Sequence, residues 1–235
     1  MNKNILLLGS SGLIGSRFYF YLKKKNINVV GISRSESKTT TFVYDFMSHK
    51  TEKIQKFYDQ ADLIINLISI AHKSDSSEDL IEQNLKTLEN TLNYNFDPKK
   101  YVYFSSEDAI SADEFAVIDQ EELKGEPFWL QYGISKGICE KICSLRNVKV
   151  IKLPPFLEPG TNDFTKRAFI IKPLGLKFLV KPDIYFNYID SELLFKKLSE
   201  IDANSSDKLI KVNGKLISQK MISSSVKGLN IHLPR

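Results

Sequence analysis

Cysteine, histidine and tryptophan are scarce: the 235 residues hold two cysteines, three histidines and one tryptophan. Cys139 and Cys143 stand four residues apart on a stretch with helical character, the spacing of neither a redox pair nor half of a zinc site, so they read as packing residues. His49, His72 and His232 are far apart and lack neighbouring ligands, and no metal site is expected. No apolar run reaches the ~18 residues of a membrane span, and the N-terminus reads as a strand instead of a basic stretch, an apolar stretch and a cleavage site. No membrane partner is therefore expected, and the cytoplasm is the default location. Low-complexity tracts and internal repeats are missing too, which argues against disorder and against solenoid folds.

What is present is an ordinary globular composition, 42% hydrophobic and 26% charged. The 33 basic residues exceed the 28 acidic ones by five, but the two kinds are interspersed along the chain. That pattern lacks the basic patch of a nucleic-acid binder. A mild positive field suits an anionic small ligand.

Apolar, β-rich runs alternate with amphipathic stretches. The strands expected are Ile5 to Leu8, Val29 to Ser33, Phe42 to Asp45, Leu63 to Leu67, Tyr101 to Phe104 and Val148 to Leu153. Helices are expected at 13–25, 50–60, 77–94 and 132–146, each long enough to cross from one parallel strand to the next. The strands are nearly continuous apolar runs, as when helices cover both sheet faces. The fold expected is α/β, a doubly wound parallel sheet (Rossmann), with a dinucleotide-binding domain over 1–153 and a small, shortened C-terminal substrate lobe over 154–235, parts of which return to the core. That lobe, broken by Pro154, Pro155, Pro159, Gly160, Pro173, Gly175 and Pro182, reads as loop-rich up to a helix near Asp190. A short strand near Leu209 to Val212 and a helix from about Ser218 follow.

Between the first strand and helix lies Gly9-Ser10-Ser11-Gly12-Leu13-Ile14-Gly15. Gly9 allows the tight turn, Gly12 lets the backbone approach a pyrophosphate and Gly15 lets helix and strand pack closely, while the helix N-terminus offers N–H groups to the anion. The cofactor-binding set from this loop is Gly9, Ser11, Gly12, Leu13, Ile14 and Gly15. At the end of the second strand, where an acid would hold a free ribose 2′-hydroxyl, the chain has Ser33-Arg34-Ser35. A guanidinium beside hydroxyls suits a 2′-phosphate, so NADP(H) is the preferred cofactor, with NAD(H) as the alternative.

Tyr132-Gly133-Ile134-Ser135-Lys136 puts a phenol and an ammonium on one helix face. A phenol, with a pKa near 10, needs such help to act at neutral pH, and a nearby ammonium favours its ionised form. Ser105 and Ser106 follow an apolar strand at its carboxyl end, where ligands bind in such sheets.

Together these segments resemble the extended short-chain dehydrogenase/reductases, the NAD-dependent epimerase/dehydratase family that acts mainly on nucleotide-linked sugars. The resemblance runs through Gly9 to Gly15, Asp45, Asn66-Leu67 to Ala71, Asn84, Tyr103 to Ser106 and Tyr132 to Lys136, and on through Lys152 to Gly160 and Phe186 to Asp190. It implies that Tyr132 is the acid/base, that Lys136 lowers its pKa and binds the nicotinamide ribose, and that Ser106 polarises the reacting oxygen. Asp45 would contact adenine with Phe46 beside it, and Leu67, Ile68 and Pro154 would line the cofactor. Glu107, Asp108, Asn84 and Pro155 are candidates on the substrate side, although Asn84 reads equally as a satisfied helix asparagine.

Three departures from the family pattern fall on that side. Ile110 and Ser111 replace a tyrosine and a glycine, Pro155 replaces an asparagine, and Glu158 stands in place of a glycine. The lobe is also short, which leaves the pocket open or completed by a second subunit in a homodimer. The activity expected first is NADPH-dependent reduction of a keto group on a nucleotide-linked sugar. The alternative is an epimerase or 4,6-dehydratase holding NAD tightly, for which Glu107-Asp108 speaks as an acid pair. Last comes a non-catalytic Rossmann-fold sensor, against which the serine, tyrosine and lysine argue.

Overall fold

The computed structural model describes residues 3–48, 50–70, 80–111, 128–157, 170–171, 176–181, 185–200, 208–224 and 229–234. They form two compact units, one of Met1–Lys152 with Ser199–Lys211 and the other of Leu153–Leu198 with Val212–Arg235.

The first unit opens with β1 (Asn4–Leu8), α1 (Leu13–Lys24), β2 (Asn28–Ser33) and β3 (Phe42–Val43). It continues with α2 (Glu52–Gln60), β4 (Leu63–Asn66), α3 (Leu80–Leu92), β5 (Tyr101–Ser106), α4 (Phe128–Leu145) and β6 (Lys149–Leu153). Strand β1 pairs in parallel with β2 and β4, β2 with β3, and β4 with β5. A late strand, Leu209–Lys211, adds itself in parallel to β6. The sheet therefore reads, edge to edge, late strand, β6, β5, β4, β1, β2, β3. The strand order reverses between β1 and β4, and in such sheets ligands bind beyond the carboxyl ends of the strands at that point.

The apolar runs end up where both-sided burial requires. Leu6, Leu7, Leu8, Ile64 and Ile65 are fully buried. Beside them a polar knot is tied inside the core: Asn66 Nδ2 donates to Tyr101 Oη (2.8 Å) and Thr91 Oγ1 (3.1 Å), so these buried groups satisfy one another.

Element boundaries moved for identifiable reasons. Strand β3 stops at Val43 because Asp45 folds into a turn, its Oδ1 accepting from the Met47 N–H at 2.9 Å. Helix α2 starts at Glu52, capped by Thr51, whose side chain accepts from the Ile54 N–H. Helix α4 is described from Phe128, four residues ahead of the expected start. Helix α3 is described from Leu80; the residues expected to precede it lie outside the described ones.

The second unit is not the loop-rich segment that its prolines and glycines predict. It contains β7 (Ile170–Ile171), β8 (Leu176–Lys181), β9 (Tyr185–Tyr188) and α5 (Ser191–Glu200), followed, after the late strand β10, by β11 (Lys215–Ser218), α6 (Gln219–Ser224) and β12 (Leu229–Pro234). Strand β8 lies between β7, antiparallel, and β12, parallel, while β11 pairs antiparallel with β9. Pro173, Gly175 and Pro182 lie outside the described residues. No helix among the described residues is long and apolar enough to cross a membrane.

Candidate active site

The site grows from the turn after β1. Gly9 has φ of +83° and its N–H donates to the Ile32 carbonyl at 2.8 Å, so the chain reverses above β2. A Cβ on Gly15 would collide with the Gly9 carbonyl oxygen, which makes glycine the residue that lets α1 start this close to the strand. Gly12 caps α1 with no side-chain hydrogen bond, and Leu13 beyond it is 44% exposed. The first-turn N–H groups are thus left for an external acceptor, and the glycine cradle fits a dinucleotide pyrophosphate. Ser11 and Ile14 border the same turn, half-buried.

Arg34 is exposed just beyond β2. The loop that carries it is held by a hydroxyl network that the sequence reading overlooked, although the run Ser33-Arg34-Ser35-Glu36-Ser37-Lys38-Thr39-Thr40-Thr41 signals it. Ser33 Oγ donates to the Ser35 carbonyl (2.7 Å) and meets Thr40 Oγ1 (2.6 Å), while Thr39 Oγ1 donates to the Ser10 carbonyl (2.7 Å). The loop is therefore tied to the glycine turn itself. Asp45 is exposed, whereas the Phe46 side chain, 2% exposed, packs edge-on against Tyr44 and Tyr94 in the core. What Phe46 can offer a cofactor is therefore its backbone.

Leu67 and Ile68 follow β4 and are half-buried. Their loop is moulded by Asn84 of α3, which accepts from the Ile70 N–H (2.8 Å) and donates to the Ile70 carbonyl (3.3 Å) and to Ser135 Oγ (3.2 Å). At 6% exposure, with both ends of its amide engaged, Asn84 is a satisfied helix asparagine that holds the 67–70 loop.

At the end of β5 the two serines part. Ser105, 5% exposed, donates to Glu140 Oε1 at 2.6 Å. Ser106 is half-buried and exchanges two hydrogen bonds with Asp108, donating to its carboxylate and accepting from its N–H, both at 3.2 Å. Ser106 and Ser69, the latter a residue the sequence does not single out, lie close enough to the Tyr132 hydroxyl to act on its ionisation. Ser106 and Tyr132 thus converge. Glu107 is half-buried and Asp108 exposed on the segment after Ser106. That segment lies against α4 at Gly133, whose carbonyl accepts from the Ile110 N–H at 3.0 Å. A Cβ on Gly133 would come within 2.7 Å of the Asp108 carbonyl oxygen and 3.0 Å of Ile110, so the glycine beside the tyrosine admits this approach.

Lys136, 3% exposed, directs its ammonium to Tyr103 Oη (3.0 Å) and the Phe104 carbonyl (3.1 Å). Burial lowers its pKa to about 8, against opposing attraction from Cys139, Cys143 and Glu140. Its nitrogen stands 5.8 Å from the centre of the Tyr132 ring. The Tyr132 phenol itself sits above the ordinary tyrosine range. Burial raises its pKa, Asp108 adds to the rise, and the nearby Ser69 and Ser106 only moderate it. The buried Cys139 thiol donates weakly to the Asn84 carbonyl at 4.0 Å.

Pro154 and Pro155 belong to the second unit. There Pro154 is buried, and the Pro155 carbonyl accepts from the Ile189 N–H at 3.0 Å. Glu158 lies outside the described residues.

Against this geometry stand the comparisons with known proteins. The sequence profile of the NAD-dependent epimerase/dehydratase family matches residues 5–152. Among solved structures, UDP-N-acetylglucosamine 4-epimerase from Bacillus cereus superposes with a TM-score of 0.60 at 17% identity, covering 94% of this chain and 79% of its own. L-threonine dehydrogenase from Clostridium difficile gives 0.66 at 18% identity, with 99% and 84% covered. The Bordetella bronchiseptica enzyme WbmG, solved with NAD and UDP, gives 0.66 at 12% identity, with 100% and 83% covered. At these identities the structures speak for a common fold. A search of curated proteins by sequence finds no match.

Proposed function

Because the chain belongs to the NAD-dependent epimerase/dehydratase family, and is thereby an NAD(P)-dependent enzyme of the extended short-chain dehydrogenase/reductase type, we propose that it reduces a keto group of a nucleotide-linked sugar, preferring NADPH. The observation that carries this reading is the convergence of Tyr132 and Ser106 beyond the carboxyl end of the parallel strands. NADPH, when bound, supplies the hydride.

The protein's own residues do the rest. Gly12 and the first turn of α1 would hold the pyrophosphate, Arg34 would meet the 2′-phosphate, and Asp45 would contact the adenine. Ser106 donates a hydrogen bond to the carbonyl oxygen and polarises it. Tyr132 gives that oxygen its proton as it gains negative charge. Lys136 keeps its ammonium against Tyr103 and the Phe104 carbonyl, with its remaining N–H available to the ribose of the cofactor and its charge available to the phenolate that proton transfer leaves. Burial supports this direction of transfer, since it keeps Tyr132 protonated at neutral pH.

A second reading has one observation in its favour: Asp108 holds Ser106 and lies close enough to Tyr132 to influence its ionisation. A carboxyl there could move a proton on the substrate, as epimerisation or dehydration requires, with NAD retained through the cycle. One experiment separates the two. The purified protein is mixed with NADPH or NADH and a panel of nucleotide-linked 4-keto sugars, with absorbance and product stereochemistry followed. Stoichiometric NADPH consumption supports reduction. Conversion of a nucleotide sugar without added cofactor, or NAD found bound after purification, overturns it in favour of the second reading.

A further inference from the structure

The sequence places no role on Glu140 or on Lys152's side chain, yet the structure brings both to one knot behind the reacting group. Glu140 lies one helical turn beyond Lys136 on α4. Its Oε1 accepts from Ser105 Oγ at 2.6 Å and pairs with Lys152 Nζ of β6 at 3.2 Å, while Oε2 receives the same ammonium at 3.3 Å. Both side chains are mostly shielded, at 15% and 19% exposure, so the pair is screened less than one on the surface. Lys152 Nζ also reaches the Ala109 carbonyl at 3.4 Å. Ala109 in turn donates its N–H to the Ser106 carbonyl at 3.1 Å, and the next residue, Ile110, donates to Gly133. The turn carrying Ser106 and Asp108 is thereby fastened at three points: to itself, to α4 beside Tyr132, and to β6 through Lys152.

We propose that Glu140, paired with Lys152, is a positioning residue for the reacting group: the pair clamps the 106–110 turn so that the Ser106 hydroxyl stays aimed at Tyr132. The proposal rests on the reading of Ser106 and Tyr132 given above. Glu140 never meets the substrate; it acts through Ser105, Lys152 and Ala109. Removing its charge leaves the Lys152 ammonium without its counter-ion and frees the turn to drift. Misplacing a reacting hydroxyl by even an ångström costs turnover far more than it costs cofactor binding, because the cofactor is gripped elsewhere, by the glycine turn.

The same carboxylate favours the charged form of Lys136, whose surroundings also include Cys139, Cys143, Tyr103 and Tyr132. Replacing Glu140 therefore moves the loss of activity at alkaline pH to lower pH. Replacing Lys152 loosens the turn but keeps the Glu140 charge, and does not bring that limb to lower pH. A residue that merely stabilises the fold would not divide the two effects in this way.

The test compares Glu140→Gln, Lys152→Met and Lys152→Arg in the full chain. Amide exchange at Ile110, which needs no substrate, is expected to quicken about 10-fold or more in the first two, the equivalent of one lost charge-assisted hydrogen bond, and to be largely restored in Lys152→Arg. With UDP-4-keto-6-deoxyglucose and NADPH, kcat should fall by a similar factor while the NADPH Kd changes less than about 2-fold. Unchanged exchange at Ile110, or faster exchange with unchanged kcat, overturns the clamp. If the unmodified protein fails to turn over the keto sugar, the reductase reading fails and the clamp is judged on the Ile110 exchange alone.

Discussion

Lys136→Met turns the burial of an ammonium into a measurable pH dependence. The lysine is 3% exposed, and burial lowers its pKa from 10.5 to about 8. Below about pH 8 it is charged in both folded and unfolded chains, and the folded state bears the full cost of the buried charge. Between about pH 8 and 10.5 the unfolded chain still holds a proton that the folded chain has lost, so stability rises with pH across that window. Methionine keeps the apolar stem without the titration. Loss of the bonds to Tyr103 and the Phe104 carbonyl offsets the variant's stability by a roughly constant amount, which drops out when two pH values are compared. From pH 7 to about 9.5, the unmodified protein should gain about 2 kcal/mol relative to Lys136→Met. Cys139 and Cys143, whose thiols burial pushes up, are present in both proteins and cancel to first order. Urea unfolding of both proteins at several pH values measures the difference. Parallel stability curves would falsify the argument that burial governs this ammonium.

The serines give a paired test: Ser106→Ala should lower kcat with little change in stability, whereas Ser105→Ala should remove the bond to Glu140 and lower urea stability by about 1 kcal/mol. A larger loss of turnover from Ser105→Ala, without loss of stability, would reverse the assignment. Tyr132→Phe should retain cofactor binding and lose about 100- to 10,000-fold in rate, and full activity in that variant would remove Tyr132 from the mechanism. Arg34→Asp should weaken NADPH binding about 10- to 150-fold while leaving NADH less affected, as read by calorimetry; equal affinities for the two in the unmodified protein would sink the NADP preference.

The sheet was legible because its signals are local. Continuous apolar runs such as Leu6 to Leu8 and Ile64-Ile65 mark strands covered on both sides, and Gly9, Gly12 and Gly15 mark the turn above them. The i, i+4 spacing of Tyr132 and Lys136 was equally local. What organises these residues was not legible, since it depends on contacts across long stretches of chain. Asn84 to Ile70 and Ser135, Glu140 to Ser105, and Lys136 to Tyr103 each join elements whose proximity follows only from the completed fold. The strands of the second unit were missed for a different reason. Proline and glycine there read as breakers of structure, whereas the short strands described in that unit have partners remote in sequence, as β12 is from β8.

Burial acts in opposite directions on the two titrating groups of the site, and this bears on the direction in which the site is poised. It raises the Tyr132 phenol and lowers the Lys136 ammonium, so the interval between the two pKa values that an ordinary tyrosine and lysine would show is inverted and widened. At neutral pH the phenol holds its proton almost completely while the lysine remains charged. The form required to protonate an oxygen during reduction is therefore the abundant one, and the phenolate required to deprotonate an alcohol during oxidation is rare. As pH rises, Lys136 discharges before Tyr132 ionises, which removes the positive charge just where a phenolate would need it. Reduction should consequently hold a plateau through neutral pH and decline above about pH 8, with no compensating rise in the oxidative direction across the same range. Initial rates in both directions across this range test the order of the two ionisations. An oxidative rate that climbs steadily through pH 9 would show that Tyr132 ionises while Lys136 is still charged, and that the lysine governs the tyrosine more closely than their separation in this structure allows.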